Sequence, residues 1–420
     1  MPPQKPTPFR FIGLDLHKHY LVAVGVDPQG NPVLGPRRVP LAEMEEWRQR
    51  TLSSDDAVAL EMTTNALDVH DELLPHVHSV TVVHPPRLKL ITGARVMNDK
   101  RAATILAEQH AKGSLTGIWV PPREVRELRA VVAQDRKMVR LGTQAKNRLH
   151  AVLHRHHLPL PDGEPFAPAK RHWWLNLPLG EIERMRILCD LKTLAFAQQQ
   201  REHLDACLVR LAAKDDRVLF LIQSMGIGLL TAMTLLAAIG DIARFPSPKR
   251  LVGYAGLGAS VHDSGKTTRY GRITKEGRRD LRAAVEAAQI AALRSPYWQA
   301  QLQRLEPRLG RNRAIVAIAR RMLVAIWHIL TKHIADHHVP ADRLAAKLLR
   351  YAQRLGRAHR PQGQTIAAYV RDQLDRLGVG RELTHIGKGR HASTLPPSRL
   401  KAEAPEGVPE PPTLSSTQAA

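Results

Sequence analysis

The stretch Phe11–Asn31, FIGLDLHKHYLVAVGVDPQGN, sets the start of the fold. Apolar residues run to Leu16, resume from Tyr20 to Val26, and continue from Pro32 to Val39 after the turn sequence DPQGN. This pattern predicts three consecutive antiparallel strands. Asp15 breaks the apolar logic. Among Ile12, Leu14 and Leu16 a carboxylate is costly unless something positive compensates it, and a metal ion is one such partner.

Beyond the meander, AVALEM (Ala57 to Met62) reads as a buried strand, Asn65 to Leu74 as a helix, Ser79 to Pro85 as a strand and Asp99 to Ala111 as a helix. Alternating elements after a meander predict a ribonuclease-H-like α/β layer. From Pro122 to His157, and again from Glu181 to Ala213, apolar residues recur at helical spacing, with the Pro-containing break LPLPDGEPFAPAK between them. Two long helices joined this way are expected to form an antiparallel arm, to pair with another subunit, or simply to pack as ordinary helices. The chain from Val218 to about Asp336 is rich in Ala and Leu and reads as a second, helical domain, with a Gly-rich polar insertion between Gly253 and Gly277. From Ser393 onward the Pro/Ser-rich sequence without aromatics predicts a disordered tail. The fold class expected is therefore α/β plus α.

Composition narrows the partners. The 420 residues include 62 Lys and Arg against 39 acids, a formal charge of +23, which draws polyanions and points to nucleic acid. Aromatic residues make up only 4%, so base stacking is not expected to dominate recognition. Cys189 and Cys207 would lie roughly 27 Å apart on one helix, too far for a disulfide. With no apolar signal core at the start, and with Leu229 to Ile239 too short to span a bilayer, the expectation is a soluble cytoplasmic protein.

Three acids stand where such a sheet would gather them: Asp15 on the first strand, Glu61 near the end of AVALEM and Asp99 where a helix begins. Converging carboxylates of this kind hold Mg²⁺ for phosphodiester chemistry. Taken alone, Asp99 reads equally well as a helix N-cap. Further on, Ser264 lies in ASVHDSGKTTRYGRITKEGRR, where a hydroxyl among glycines and cations can serve as a nucleophile or as an ordinary turn residue. Cations follow it closely: Lys266, Arg269, Arg272, Lys275, Arg278 and Arg279 form one electrostatic footprint, and Arg140, Lys146 and Arg148 on the first long helix form another. The Gly226-Ile227-Gly228 turn opens a helix and so offers backbone N–H groups to a phosphate.

On these motifs the chain resembles the insertion-sequence-110 family of transposases, over roughly residues 10 to 336. Asp15 in GLDLHK, Glu61 in EMTTN and Asp99 in NDKRAA match three positions of that family's Asp-Glu-Asp-Asp tetrad, and Ala102 stands at the fourth. Glu108, the nearest later acid on the helix, would point about 180° away from Asp99. Ile118 to Leu158 and Gln223 to Val285 are also typical of the family. The resemblance implies a RuvC-like domain at 10–115, a coiled-coil-like arm at 116–217 and a C-terminal transposase domain at 218–336; beyond it the chain reads as a helical extension at 337–392 and the tail at 393–420. It also implies a DNA recombinase in which Ser264 is the nucleophile, with Ser260 as the alternative, and Asp15, Glu61 and Asp99 bind Mg²⁺. Donor and target DNA, a structured guide RNA, and a homodimer or homotetramer in the bacterial cytoplasm and nucleoid complete that expectation. A metal-dependent RuvC-like nuclease, or a non-cleaving descendant, is the competing reading that Ala102 raises.

Overall fold

The computed structural model describes residues 8–85, 98–264, 267–336, 338–387 and 392–400. It divides into two compact units, Met1–Pro122 and Arg123–Ala420.

The first unit is built on the predicted meander: β1 (Arg10–Leu16), β2 (Tyr20–Val26) and β3 (Pro32–Pro40) are antiparallel neighbours. Helix α1 (Met44–Thr51) follows, then β4 (Asp56–Glu61), α2 (Ala66–Leu73), β5 (Ser79–Val83) and α3 (Asp99–Ala111). The sheet order is β3-β2-β1-β4-β5, with β4 parallel to both β1 and β5. Alternation along β1 explains the layering. Ile12, Leu14 and Leu16 face a core shared with Met44 and Trp47 of α1 and with Val69 and Leu73 of α2. The opposite face receives α3, whose Ala103 packs on Val22 and Val24 and whose Leu106 packs on Ala59 and Val83. Gly13 makes that approach possible, because a Cβ there would stand 2.0 Å from the Ala103 carbonyl oxygen. An α/β layer with helices on both faces is what the alternating elements predict.

The second unit opens with two long helices, α4 (Arg123–Arg155) and, after the short α5 (Arg171–Leu175), α6 (Glu181–Ala212). They run antiparallel: Arg155 meets Glu183 at 3.1 Å, Arg148 meets Asp190 at 2.6 Å, and Arg201 meets Asp135 at 3.2 Å. At 33 residues α4 is about 50 Å long. Its far end is closed by Leu149, Val152, Trp174 and Ile187, with the Trp174 indole donating to the Pro165 carbonyl at 2.8 Å.

Next come α7 (Arg217–Ile222), the largely apolar α8 (Leu229–Ile239) and α9 (Pro248–Tyr254). The Gly-rich insertion forms a hairpin of β6 (Ala259–Ser264) and β7 (Thr267–Ile273). Helices α10 (Ala283–Arg294), α11 (Pro296–Leu309), α12 (Arg311–Lys332), α13 (Ala341–Leu355) and α14 (Ile366–Arg376) complete the helical part. Helix α12, rather than the apolar run of α8, is long and apolar enough to cross a membrane, yet its Ile318, Ala319, Leu323 and Ile326 lie in the core of this unit.

The tail expected from residue 393 is packed over its first eight residues. Strand β8 (His385–Ile386) pairs with β9 (Ser393–Thr394), and Leu395 is buried. Buried Arg371 donates to the carbonyls of Gly380 (2.8 Å), Leu383 and Pro396 (2.9 Å), satisfying its guanidinium and tying the segment down. Residues 401–420 lie outside the described residues.

Candidate active site

Three side chains converge at the end of β1. Asp15 is its penultimate residue, His17 follows two positions later on the same face, and Asp99 is the first residue of α3. One ligand atom from each lies within 4.8 Å of the other two. The His17 Nε2 stands 3.2 Å from Asp15 Oδ2 and 3.3 Å from Asp99 Oδ2. Asp99 is not the helix cap. That role belongs to Asn98, whose side chain accepts from the Arg101 amide at 2.8 Å and leaves the Asp99 carboxylate available.

A supporting layer fixes the geometry. The Tyr20 hydroxyl donates to Asp99 Oδ2 at 2.9 Å, its ring stacks on His17 with centroids 4.6 Å apart, and the Arg38 guanidinium lies 3.7 Å over its other face. Asn65 Nδ2 donates to the His17 carbonyl at 3.1 Å, so the loop after EMTT holds the end of β1. Burial, opposed by His17 and reinforced by the Asp99 charge, raises the Asp15 carboxyl above its ordinary value. The Tyr20 hydrogen bond, chief among several causes, lowers that of Asp99.

Glu61 ends β4, one residue past the Leu14–Leu60 pairing of the parallel strands, which sets its backbone beside that of Asp15. It is not part of the three-residue group. Ala102 sits one turn along α3 from Asp99 and brings no ligand. His17 is therefore the residue that the acid pattern alone overlooks, although GLDLHK signals it: alternate strand positions share a face, so an imidazole two residues after Asp15 points where Asp15 points.

In the second unit, Ser264 is exposed at the end of β6 and pairs in register with Thr267, while Arg269 pairs with His262 further down the hairpin. Ser260, the alternative, is half-buried, its Oγ only 2.2 Å from where a Cβ on Gly271 would stand. Arg269, Arg272, Lys275 and Arg279 are exposed. Arg278 pairs with Asp280 at 2.9 Å, and Arg136 of α4 reaches the same carboxylate at 2.7 Å. Lys266 lies outside the described residues. On the arm, Arg140 is exposed, Lys146 lies 4.9 Å over the Phe166 ring, and Arg148 is engaged with Asp190. The last two thus help to hold the two helices together, and the Arg148 charge is offset by Asp190.

Comparison with known proteins follows both units. Residues 12–158 match the DEDD-type IS110 transposase family, and residues 220–303 match the family described as Transposase IS116/IS110/IS902. The transposase for insertion sequence element IS1111A of Coxiella burnetii is 26% identical over 347 residues, 77% of this chain and 90% of that relative. The pilin gene-inverting protein of Moraxella bovis is 26% identical over 267 residues, 62% of this chain and 75% of the relative. The insertion element IS900 42 kDa protein of Mycobacterium paratuberculosis is 35% identical over 124 residues, 29% of this chain and 31% of the relative. With one match spanning the sheet and the first helix of the arm and the other spanning the hairpin that carries Ser264, the chain belongs to the IS110/IS116 family and is a DNA transposase.

Proposed function

We propose that this transposase cuts and rejoins DNA through Ser264, with a divalent cation held by the first unit and an element-encoded RNA guiding site choice. The observation that carries the proposal is the placement of Ser264: an exposed hydroxyl at a hairpin end, close in sequence to exposed Arg269 and Arg272, inside a family-matched segment. In the step, the Ser264 Oγ forms a bond to phosphorus and the P–O bond to one deoxyribose breaks. The serine proton passes to solvent and the departing sugar oxygen takes one up. Rejoining reverses each change, so the phosphoester count is conserved. Arg269 and Arg272 are suited to stabilising the charge on the phosphoryl oxygens.

The donor set of the first unit fits a divalent ion: two carboxylates and an imidazole whose atoms lie within 4.8 Å, the spread of ligands about 2.0–2.6 Å from one centre. Such an ion polarises a phosphoryl oxygen as a Lewis acid. Asp15 and Asp99 would supply hard oxygens to Mg²⁺ and His17 a nitrogen that also suits Mn²⁺, while Ala102 offers no ligand. Glu61, at the adjacent strand end, is the fourth candidate ligand. The +23 charge supports a nucleic-acid partner, DNA or RNA, and the scarcity of aromatics argues against base stacking as the source of sequence reading. Strand exchange between two duplexes calls for a dimer or tetramer, acting in the cytoplasm and on the nucleoid.

The test is covalent capture: the chain, its RNA, labelled donor and target DNA and Mg²⁺ are resolved on a denaturing gel. A protein–DNA adduct that disappears in Ser264→Ala supports the proposal. Cleavage without an adduct replaces it with hydrolysis by a metal-dependent nuclease.

A further inference from the structure

The hairpin that carries Ser264 brings an imidazole to the same face. Alternate residues of a strand share a face, so His262 and Ser264 of β6 project together. The cross-strand pairings set Arg269 opposite His262 and Thr267 opposite Ser264. On β7, Gly271 continues the series Thr267, Arg269 and leaves its place on that face without a side chain. Groups from β6 use the space: where a Gly271 Cβ would stand, the Ser260 Oγ lies 2.2 Å away and the His262 Nε2 3.5 Å away. The register of the hairpin shifts between Ala259 and Val261, and irregularities of this kind re-aim side chains. One face of the hairpin thus gathers two hydroxyls, an imidazole and a guanidinium.

His262 and Ser264 are both exposed, and among the described residues no side-chain hydrogen bond or ion pair engages either of them. Two positions along a strand separate their Cα atoms by about 7 Å, a gap that the ring and the hydroxyl close between them when χ1 of His262 turns the ring along the strand. A serine hydroxyl is a weak nucleophile until an adjacent base takes its proton. An imidazole is suited to that task, since its ordinary titration falls between about pH 5 and 8. The charged neighbours of His262 on the hairpin are Asp263, next in sequence, and Arg269, across from it.

We propose that His262 is the general base that activates Ser264. The inference rests on Ser264 as the nucleophile and adds the group that carries its proton. As the Ser264 Oγ bonds to phosphorus, its proton moves to an imidazole nitrogen of His262, and the P–O bond to deoxyribose breaks. In-line displacement puts the departing oxygen on the far side of phosphorus, so that oxygen takes its proton from solvent. On rejoining, a sugar hydroxyl attacks phosphorus and gives its proton to solvent, while the His262 imidazolium returns a proton to the Ser264 Oγ as it leaves. Cleavage therefore needs the neutral ring and rejoining the charged one.

The experiment measures adduct formation and adduct loss on rejoining, from about pH 5 to 8.5, for the full chain under the covalent-capture conditions. Wild type is expected to form the adduct faster, and to resolve it more slowly, as pH rises through the imidazole range. His262→Gln, an exchange at an exposed position, is expected to slow adduct formation roughly a hundredfold and to erase both pH limbs, with affinity for the same duplexes by fluorescence anisotropy unchanged. Added imidazole is expected to restore part of the rate in His262→Gly, which a merely structural role would not allow. Wild-type rates in His262→Gln at every pH overturn the proposal. So does a slowed variant that keeps the wild-type pH profile and ignores imidazole. An adduct that persists in Ser264→Ala removes the nucleophile and this inference with it, whereas an adduct lost in Ser264→Ala but untouched in His262→Gln removes the base alone.

Discussion

At position 110 an imidazole stands edge-on to the Phe11 ring, 5.4 Å between centroids, with a buried Nε2 that has no hydrogen-bond partner. Burial pulls its pKa down to about 4. The sign follows from linkage: between pH 6.5 and 4 the unfolded chain takes up a proton that the folded chain refuses, so stability falls as pH drops through that window. The full loss is about 3 kcal/mol. His110→Leu should therefore flatten the acid limb of a urea-unfolding profile between pH 6.5 and 4, while leaving it parallel to wild type above pH 7. A profile as steep as wild type would assign the acid sensitivity elsewhere. The site residues show the same division between pattern and environment. Asp15 was legible because a carboxylate inside an apolar strand needs a reason, whereas the partnership of His17 with Asp99 depends on how α3 lands on the sheet.

Helix α3 lands where it does because β1 gives way beneath it. A methyl on Gly13 would meet the Ala103 carbonyl oxygen at 2.0 Å and the Ala107 amide nitrogen at 2.6 Å, both helix backbone atoms that no rotamer change can move. Gly13→Ala is expected to cost roughly 3 kcal/mol through overpacking. It should also weaken Mn²⁺ binding measured by electron paramagnetic resonance, since lifting α3 withdraws Asp99 from Asp15 and His17. Metal binding retained at wild-type strength would show that the centre does not depend on this contact. The strands and long helices agree with their sequence periodicity to within a residue or two. The hairpin did not announce itself, because glycines and charges in ASVHDSGKTTRYGRI obscure the period-two pattern that marks a strand.

Across the whole molecule, the hydrophobic clusters of the described residues respect the boundary at 122: the cores built on Ile12, Ala59 and Val22 all lie before it, and those built on Leu128 and Leu149 all lie after it. Residues 8–122 expressed alone should accordingly melt in one cooperative transition and bind Mn²⁺ through Asp15, His17 and Asp99. A broad transition by circular dichroism would mean that this sheet requires the second unit. The sequence by itself determined the strands of the meander, the long helices, the cationic character and the motifs by which the family is recognised. All of these are written in local spacing, charge count or short stretches of chain. Only the tertiary structure decided that His17 joins the two aspartates, that Arg148 is spent on Asp190, and that residues 393–400 pack beneath Arg371. Periodicity records which face of an element is buried; it carries no record of which distant element covers that face, and each of these contacts is set by that choice.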